Sequence, residues 1–182
     1  MYGVLVRLST KKVPMEIANQ GMQGGTATTT LKKIEFIHFN TEHINDIGCM
    51  FSGCKSLEEI IFNDFNTEKM TIMNDLFCGC ESLKKINLSN FNTKNVIDIS
   101  NMFFGCISLK NLDLSSFNIL KVQDMGQMFC GCKSLNKLDL SNFNTENVII
   151  MVAIFYGCNS LKKINVITKD EKIMKKLNFN FN

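Results

Sequence analysis

The chain has 182 residues, of which 45% are hydrophobic and 20% are charged, and its formal net charge is +3. This composition is typical of one folded domain, and so small a charge disfavours nucleic acid or an anionic membrane as a partner. The longest apolar run, residues 148–156, is about half of a membrane span, so we expect no transmembrane helix.

Residues 1–30 are predicted to form an N-terminal cap. They carry no recognisable export signal, because a charged start, a continuous apolar stretch and a small-residue cleavage site are all missing. Three apolar positions align with the following segment at a shift of 26 residues: Leu5 with Leu31, Leu8 with Ile34, and Val13 with Phe39. The cap is therefore interpreted as a degenerate repeat in which Pro14 and several glycines interrupt a helix.

Residues 31–168 repeat with a period of 26. The motif Gly-Cys-x-Ser-Leu starts at Gly53, Gly79, Gly105, Gly131 and Gly157. A Phe-Asn pair keeps the same period at Phe39, Phe65, Phe91, Phe117 and Phe143. Repeats of this length indicate units that bury their apolar faces only against neighbouring units, and we count five repeats and a final strand.

Each unit is predicted to contain one strand and one helix. In the segment SLKKINLSNF, the alternation of Ile86 and Leu88 indicates a short strand with one buried face. The following segment, residues 92–106, has apolar side chains at steps of three and four, which predicts a helix that begins after Asn92 and ends at Gly105.

The frame L-x-x-L-x-L-x-x-F-N is similar to the strand half of a leucine-rich repeat. The full unit, as in SLNKLDLSNFNTENVIIMVAIFYGC, resembles the repeat of BspA-like bacterial surface proteins, which is also found in mycoplasma lipoproteins. The resemblance covers residues 31 to about 168 and implies an α/β solenoid, a right-handed leucine-rich-repeat superhelix. Strands about 4.8 Å apart and helices about 8 to 10 Å apart predict that the short parallel strands lie on the concave side and the helices on the convex side.

Equivalent positions of successive units form columns, and several columns are predicted to be core. These are Leu57, Leu83, Leu109, Leu135 and Leu161; Ile60, Ile86, Leu112, Leu138 and Ile164; and Phe51, Phe77, Phe103, Phe129 and Phe155. The cysteine column is interpreted as small buried side chains rather than disulfides. Stacked residues point the same way, whereas a disulfide needs two Cβ vectors that face each other. The column consists of Cys54, Cys80, Cys106, Cys132 and Cys158. The side-chain amides of the asparagine column are predicted to form hydrogen bonds with backbone groups of the turn that follows each strand. This column consists of Asn40, Asn66, Asn92, Asn118 and Asn144.

The exposed strand face is the candidate binding site. One column of this face reads Lys33, Glu59, Lys85, Asn111, Lys137 and Lys163, and the next reads Glu35, Ile61, Asn87, Asp113, Asp139 and Asn165. These small polar and charged groups suit a polar partner, either a protein or a glycan.

No catalytic triad, paired carboxylates in a cleft, phosphate-binding loop or metal motif is recognisable, so we expect no cofactor, no metal and no enzymatic activity. The resemblance implies a protein-interaction or adhesion module that is surface-associated or secreted. The alternative is an intracellular scaffold or effector that binds a cytosolic protein, which the unpaired cysteines and the missing signal favour.

Residues 169–182 are predicted to form a helical C-terminal cap, with Ile173, Met174 and Leu177 on one face. The segment that it would cover, NVIIMVAIFY, is apolar nearly all round if it is a helix. Self-association through this last helix is the alternative way to cover it.

Overall fold

The computed structural model describes residues 4–8, 31–37, 40–63 and 65–180. Within these residues there are five short strands, namely β1 (Val4–Leu8), β2 (Leu31–Phe36), β3 (Glu59–Phe62), β4 (Leu138–Asp139) and β5 (Val166–Ile167). A 3-10 helix covers Lys163–Asn165 and one α-helix, α1, covers Glu171–Asn180. Strands β1, β2 and β3 form one parallel sheet in that order, and β4 and β5 form a second parallel pair.

The repeat units are joined along a column of turns that runs through the whole stack. We call this the turn column; it consists of residues 46–54, 72–80, 98–106, 124–132 and 150–158. Parallel bridges connect Asp46, Ile72, Asp98, Asp124 and Ile150 in succession. At each of the four junctions, four backbone N–H groups donate to carbonyls of the next unit at 2.7–3.2 Å. Residues 26 apart along the chain are therefore neighbours in space.

The predicted helix over residues 92–106 is wrong, because this segment forms consecutive turns. Asn101 (φ 55°) and Gly105 (φ 68°) both have left-handed backbone conformations, which a right-handed helix cannot contain. The N–H of Asn101 bonds the carbonyl of Gly126 in the next unit rather than a carbonyl one turn earlier. No helix occurs in residues 40–63 or 65–160, so the predicted convex layer of helices does not form there.

The core consists of stacked columns, as the sequence predicts for most positions. Phe51, Phe77, Phe103, Phe129 and Phe155 are buried, and successive rings lie 5.5–6.1 Å apart and nearly parallel. The predicted leucine column is 0–2% exposed throughout. The core is therefore one continuous cluster that extends along the stack.

Both ends of the stack depart from the 26-residue register. At the start, Leu5 pairs with Lys33 and Leu8 with Phe36, an offset of 28 residues, so the predicted alignment of Leu5 with Leu31 and Leu8 with Ile34 is wrong. Val13 and Phe39, the third predicted pair, lie outside the described residues.

At the other end, Leu138 pairs with Val166, again an offset of 28. The 3-10 helix Lys163–Asn165 produces this slip. As a result Ile164, predicted to be core, is 87% exposed, and Val166 is buried in its place.

Helix α1 covers only part of the apolar surface of the last unit, where Ile149, Val152 and Tyr156 remain 54–78% exposed. Ile173 and Leu177 are buried against the core, whereas Met174 is 40% exposed. Asp170 caps the helix by accepting the N–H of Ile173 at 3.0 Å. The same carboxylate accepts the Thr145 N–H at 2.8 Å and the Thr145 hydroxyl at 2.7 Å. In earlier units the threonine hydroxyl bonds the backbone of the next unit, as Thr93 does with Asn118. In the last unit, the Asp170 carboxylate takes the place of that backbone.

Candidate functional site: the strand face

The predicted site residues of the middle units lie on one exposed face. Lys85, Asn87, Asn111, Asp113, Lys137 and Asp139 are all exposed. In the first units the two columns align as predicted, because β2 pairs with β3 in the 26-residue register. Lys33 and Glu59 form an ion pair at 2.7 Å, and Glu35 accepts a hydrogen bond from Asn63 at 3.3 Å. Ile61 pairs with Glu35 and is half-buried.

The last unit does not extend these columns. The two-residue slip pairs Asp139 with Ile167, so Asn165 is not its neighbour as predicted. Lys163 and Asn165 instead belong to the 3-10 helix, and the Asn165 amide donates to the Asn136 carbonyl at 2.8 Å. The aligned face therefore ends at Lys137 and Asp139.

Two grooves open on this face. The larger, about 460 Å³, crosses three units and has an apolar floor of Ile86, Leu112 and Leu114. Its rim carries Lys85, Lys137, Asp113, Asp139, Ser115 and Ser141. The smaller groove, about 370 Å³, lies between β3 and the next unit and shares Lys85 and Ile86 with the larger one. Together they form a continuous surface with apolar depth and polar edges.

The backbone in these grooves is not paired as a sheet. Residues 85–88 and 111–114 were expected to be strands, but neither segment is a strand in the structure. Their N–H groups donate no hydrogen bond to any described residue. The carbonyls at the groove ends are bonded by side chains, since Ser116 donates to Leu88 and Asn142 donates to Leu114. Backbone N–H groups that lack a protein partner need water or a ligand as acceptor, so a ligand can bind along these two segments.

The carboxylates of the face are held by turns that they help to form. Asp113 accepts the backbone N–H of Ser115 at 2.9 Å, and Asp139 accepts that of Ser141 at 3.0 Å. These bonds, followed by bonds from the serine hydroxyls, lower the pKa of both carboxyl groups. Both groups are therefore ionised at neutral pH, with one oxygen bonded to the turn.

The cations of the larger groove are less constrained. Lys85 and Lys137 form no ion pair with any described residue. The groove thus presents two lysines, Lys85 and Lys137, at one position of the repeat, and two aspartates, Asp113 and Asp139, at the position two residues later.

The asparagine column has the predicted structural role. The side-chain oxygens of Asn40, Asn66, Asn92, Asn118 and Asn144 each accept the N–H of the residue two positions later, at 2.8–3.2 Å. These side chains are not buried, since four of the five are exposed and Asn92 is half-buried.

The cysteine column is buried and unpaired, as predicted. The thiols of Cys80, Cys106, Cys132 and Cys158 donate to phenylalanine carbonyls of the preceding unit at 3.0–3.2 Å. Burial raises the pKa of every thiol in the column, for example to about 11 at Cys54 and about 12 at Cys158. The described residues contain no group of three or more His, Cys, Asp or Glu side chains that could hold a metal ion.

Asn142 was not among the predicted site residues, although it lines the larger groove and donates to the Leu114 and Phe117 carbonyls at 3.0 and 2.8 Å. A signal was present, because the equivalent positions are Asn90 and Ser116, both small and polar. Ile86 and Leu112 were predicted to belong to the core alone, but both contribute to the groove floor.

The stacked units and the grooved polar face define the chain as a repeat protein. A family model described as "Mycoplasma protein of unknown function, DUF285" matches residues 20–112 and 73–181. Because these matches span most of the sequence, the chain belongs to this family. The mycoplasma description agrees with the mycoplasma part of the resemblance noted above. The searches of curated proteins and of solved structures find no match.

Within the described residues, no helix combines the length and the hydrophobicity that crossing a membrane requires.

Proposed function

We propose that this chain is a solenoid of the leucine-rich-repeat type that acts as a non-enzymatic protein-binding module through its strand face. The observation that carries the proposal is the groove over Ile86, Leu112 and Leu114, in which backbone N–H groups of two adjacent units donate to none of the described residues. An extended peptide can supply main-chain partners to such groups while its side chains enter the apolar floor.

The charges on the rim favour a partner of mixed charge. Lys85 and Lys137 are free of described ion pairs, and Asp113 and Asp139 are ionised. A segment with an acidic residue near the lysines and a basic or hydroxyl group near the aspartates would complement both pairs. Complementary charges steer association and select partners more than they raise affinity.

Two locations for this activity remain as alternatives. Adhesion at a cell surface, or after secretion, follows the resemblance to BspA-like surface proteins. A scaffold or effector that binds a cytosolic protein follows from the eight free thiols, since disulfides are rare in reducing compartments. Fractionation of native cells, combined with labelling by a membrane-impermeant thiol reagent, distinguishes the two.

The binding face is tested by charge reversal. The double variant Lys85→Glu/Lys137→Glu changes the groove without breaking a described ion pair. The matched control, Lys133→Glu/Lys175→Glu, makes the same change in net charge at exposed positions outside both grooves. We expect partners captured from a native lysate by the wild type and the control to be lost with the groove variant.

The thermal unfolding of all three proteins is measured first, so that loss of folding is not taken for loss of binding. A folded groove variant that captures the same partners as the control would disprove the proposed face.

A further inference from the structure

A further groove, of about 580 Å³, lies beside the turn column. We call it the side groove; the residues that line it include Ile97, Leu120, Lys121, Gln123, Glu146 and Ile149. We number the units by their segments of the turn column, so that residues 98–106, 124–132 and 150–158 belong to the third, fourth and fifth units. No residue of the side groove lines either groove of the strand face, so this inference is independent of the strand-face function.

The side groove exposes apolar side chains at positions that are polar in other units. Ile97, Leu120 and Ile149 are 42%, 48% and 78% exposed. The positions equivalent to Ile97 and Ile149 hold Asn45, Thr71 and Gln123, and those equivalent to Leu120 hold Glu42, Glu68, Lys94 and Glu146. Exposed apolar side chains that are grouped in this way are a feature of contact surfaces.

One column of the side groove is symmetric about the fourth unit. Its members Ile97, Gln123 and Ile149 belong to the third, fourth and fifth units. They are consecutive in the stack, because the Gln123 N–H donates to the Ile97 carbonyl and the Ile149 N–H donates to the Gln123 carbonyl, both at 2.8 Å. Isoleucine thus lies on both sides of a glutamine. A side-chain amide both donates and accepts, so Gln123 can bond the same residue of a second copy.

A second column has opposite charges on the two sides of the fourth unit. Its members Lys94, Leu120 and Glu146 again belong to the third, fourth and fifth units, and all three are exposed. Lys94 forms an ion pair with Glu68 at 2.7 Å, whereas Glu146 forms none with any described residue. A twofold axis that crosses the fourth unit reverses the order of the units. It therefore places Lys94 of one copy against Glu146 of the other.

We propose that the side groove binds the side groove of a second copy of this chain, with a twofold axis that crosses the fourth unit. In each column the residue of the fourth unit faces itself, and the residue of the third unit faces that of the fifth. The dimer therefore contains two contacts between Ile97 and Ile149 and two between Lys94 and Glu146. A twofold interface must be complementary to itself in this way, whereas an unrelated partner needs no such symmetry. The pattern thus favours a second copy as the occupant.

Two further charged residues of the fourth unit are held by bonds within one copy. The Lys121 ammonium donates to the Asn95 side chain of the third unit at 2.8 Å. It therefore lies off the axis, on the side that faces Glu146 of the second copy. Asp124 accepts the N–H of Gly126 at 2.8 Å within its own turn and does not line the side groove.

The proposal is tested by sedimentation equilibrium of the full chain over a wide concentration range. The wild type should form a dimer and nothing larger, because a twofold contact closes on itself. Lys94→Glu and Glu146→Lys should each raise the dimer Kd by more than about tenfold, because both attractive charge contacts become repulsive. An equal mixture of these two variants should dimerise again, since opposite charges then face each other at both contacts.

Two controls make the same changes of charge outside the side groove. Glu42→Lys matches Glu146→Lys, because Glu42 is exposed at the same position of the first unit, and Lys133→Glu matches Lys94→Glu at another exposed lysine. Both controls should dimerise like the wild type. Thermal melting of each variant is measured first, and if Lys94→Glu unfolds, Leu120→Arg tests the contact at the axis and should also weaken the dimer.

A wild type that stays monomeric would assign the side groove to a different partner and overturn the proposal. A species larger than a dimer, two folded variants that do not dimerise when mixed, or a control that loses dimerisation would each overturn it as well.

Discussion

Phe103 shows how a single residue depends on the units on both sides. Its ring lies between those of Phe77 and Phe129, with centroid distances of 5.5 and 6.1 Å, and it has no exposed surface. One of these neighbours belongs to the preceding unit and the other to the following unit. The residue therefore stabilises two junctions at once.

We predict that Phe103→Ala lowers the free energy of unfolding by about 3 to 5 kcal/mol, because it removes buried surface and leaves a cavity in a packed core. Phe104→Ala is the control, since Phe104 is adjacent in sequence but 36% exposed, and its effect should be much smaller. Chemical denaturation measures both values. Equal losses for the two variants would contradict the assignment of the Phe column to the core.

Asp170 provides a second test at the level of one side chain. Because it caps α1 and bonds Thr145 of the last unit, Asp170→Ala should cost about 1 to 2 kcal/mol, at the upper end for a helix cap. Glu171→Ala, which alters an exposed neighbouring carboxylate, should cost less. A loss no larger than that of the control would show that the cap does not stabilise the end of the stack.

The charge of Asp170 also predicts a pH dependence. Burial raises the pKa of its carboxyl group, but the hydrogen bonds from Ile173, Thr145 and Lys172 outweigh this effect, and the net pKa is lowered. A lowered folded-state pKa stabilises the protein above the unfolded value of about 3.9, and this stabilisation disappears as the pH falls through the folded value. Stability measured from neutral pH down to acid should therefore fall less steeply in Asp170→Asn than in the wild type. Parallel curves would contradict this role.

At the scale of the element, the turn column explains why the helix prediction failed. Val96, Ile99 and Met102 are all buried, so their spacing correctly identified an inward face. The same spacing fits consecutive turns, and the choice between the two depends on hydrogen bonds to another unit, which periodicity alone does not reveal. The left-handed position at Asn101 was a local signal, but its equivalents Cys49 and Gln127 are residues that seldom adopt this conformation.

Two substitutions at residues with a left-handed backbone are predicted to have opposite effects on stability. Gly131 has φ 74°, and an added Cβ would lie 3.4 Å from the Gly105 Cα, so Gly131→Ala should cost about 1 to 2 kcal/mol or more. Ala153 already has φ 49° with a side chain, so Ala153→Gly should be neutral or raise stability by up to about 1 kcal/mol. Denaturation curves compare both with the wild type. A destabilised Ala153→Gly together with an unaffected Gly131→Ala would contradict this backbone.

The cysteines predict a graded pattern of reactivity. Burial raises the pKa of the thiols of Cys80, Cys106 and Cys132 far above the usual range, so these should react with an alkylating reagent only after unfolding. Cys49 is half-buried and should be modified first in the native protein. Mass spectrometry of a labelling time course identifies the order, with labelling of all eight thiols in denaturant as the control. Early modification of Cys106 would contradict the predicted order.

The register slip at the end of the stack could not have been predicted from the repeat. Ile164 fits the apolar position of its column, and so its burial was the natural expectation. Among the described strands, however, β5 pairs only with β4, and after the 3-10 helix Val166 enters the core instead. For the same reason, the predicted site residues Lys163 and Asn165 do not lie on the aligned face. The predicted site residues from Lys85 to Asp139 are exposed, as expected.

At the scale of the whole molecule, the chain is a one-dimensional structure in which each unit contacts its neighbours along the stack. Its long-range order comes from a repeated set of backbone hydrogen bonds between units and from continuous columns of side chains. The sequence predicted the columns because side-chain identity repeats every 26 residues. It did not predict which backbone groups bond between units, since these bonds depend on conformation rather than on residue type.

The most direct test of this account is a nuclear magnetic resonance measurement of couplings across hydrogen bonds in the deuterated protein. The account predicts that the N–H of Asp75 couples to the carbonyl of Ser100, and the N–H of Asn101 to that of Gly126, each across a bond of 2.9 Å. Couplings from residues 92–106 to carbonyls four positions earlier would instead show a helix, and the stacked turn column would be wrong.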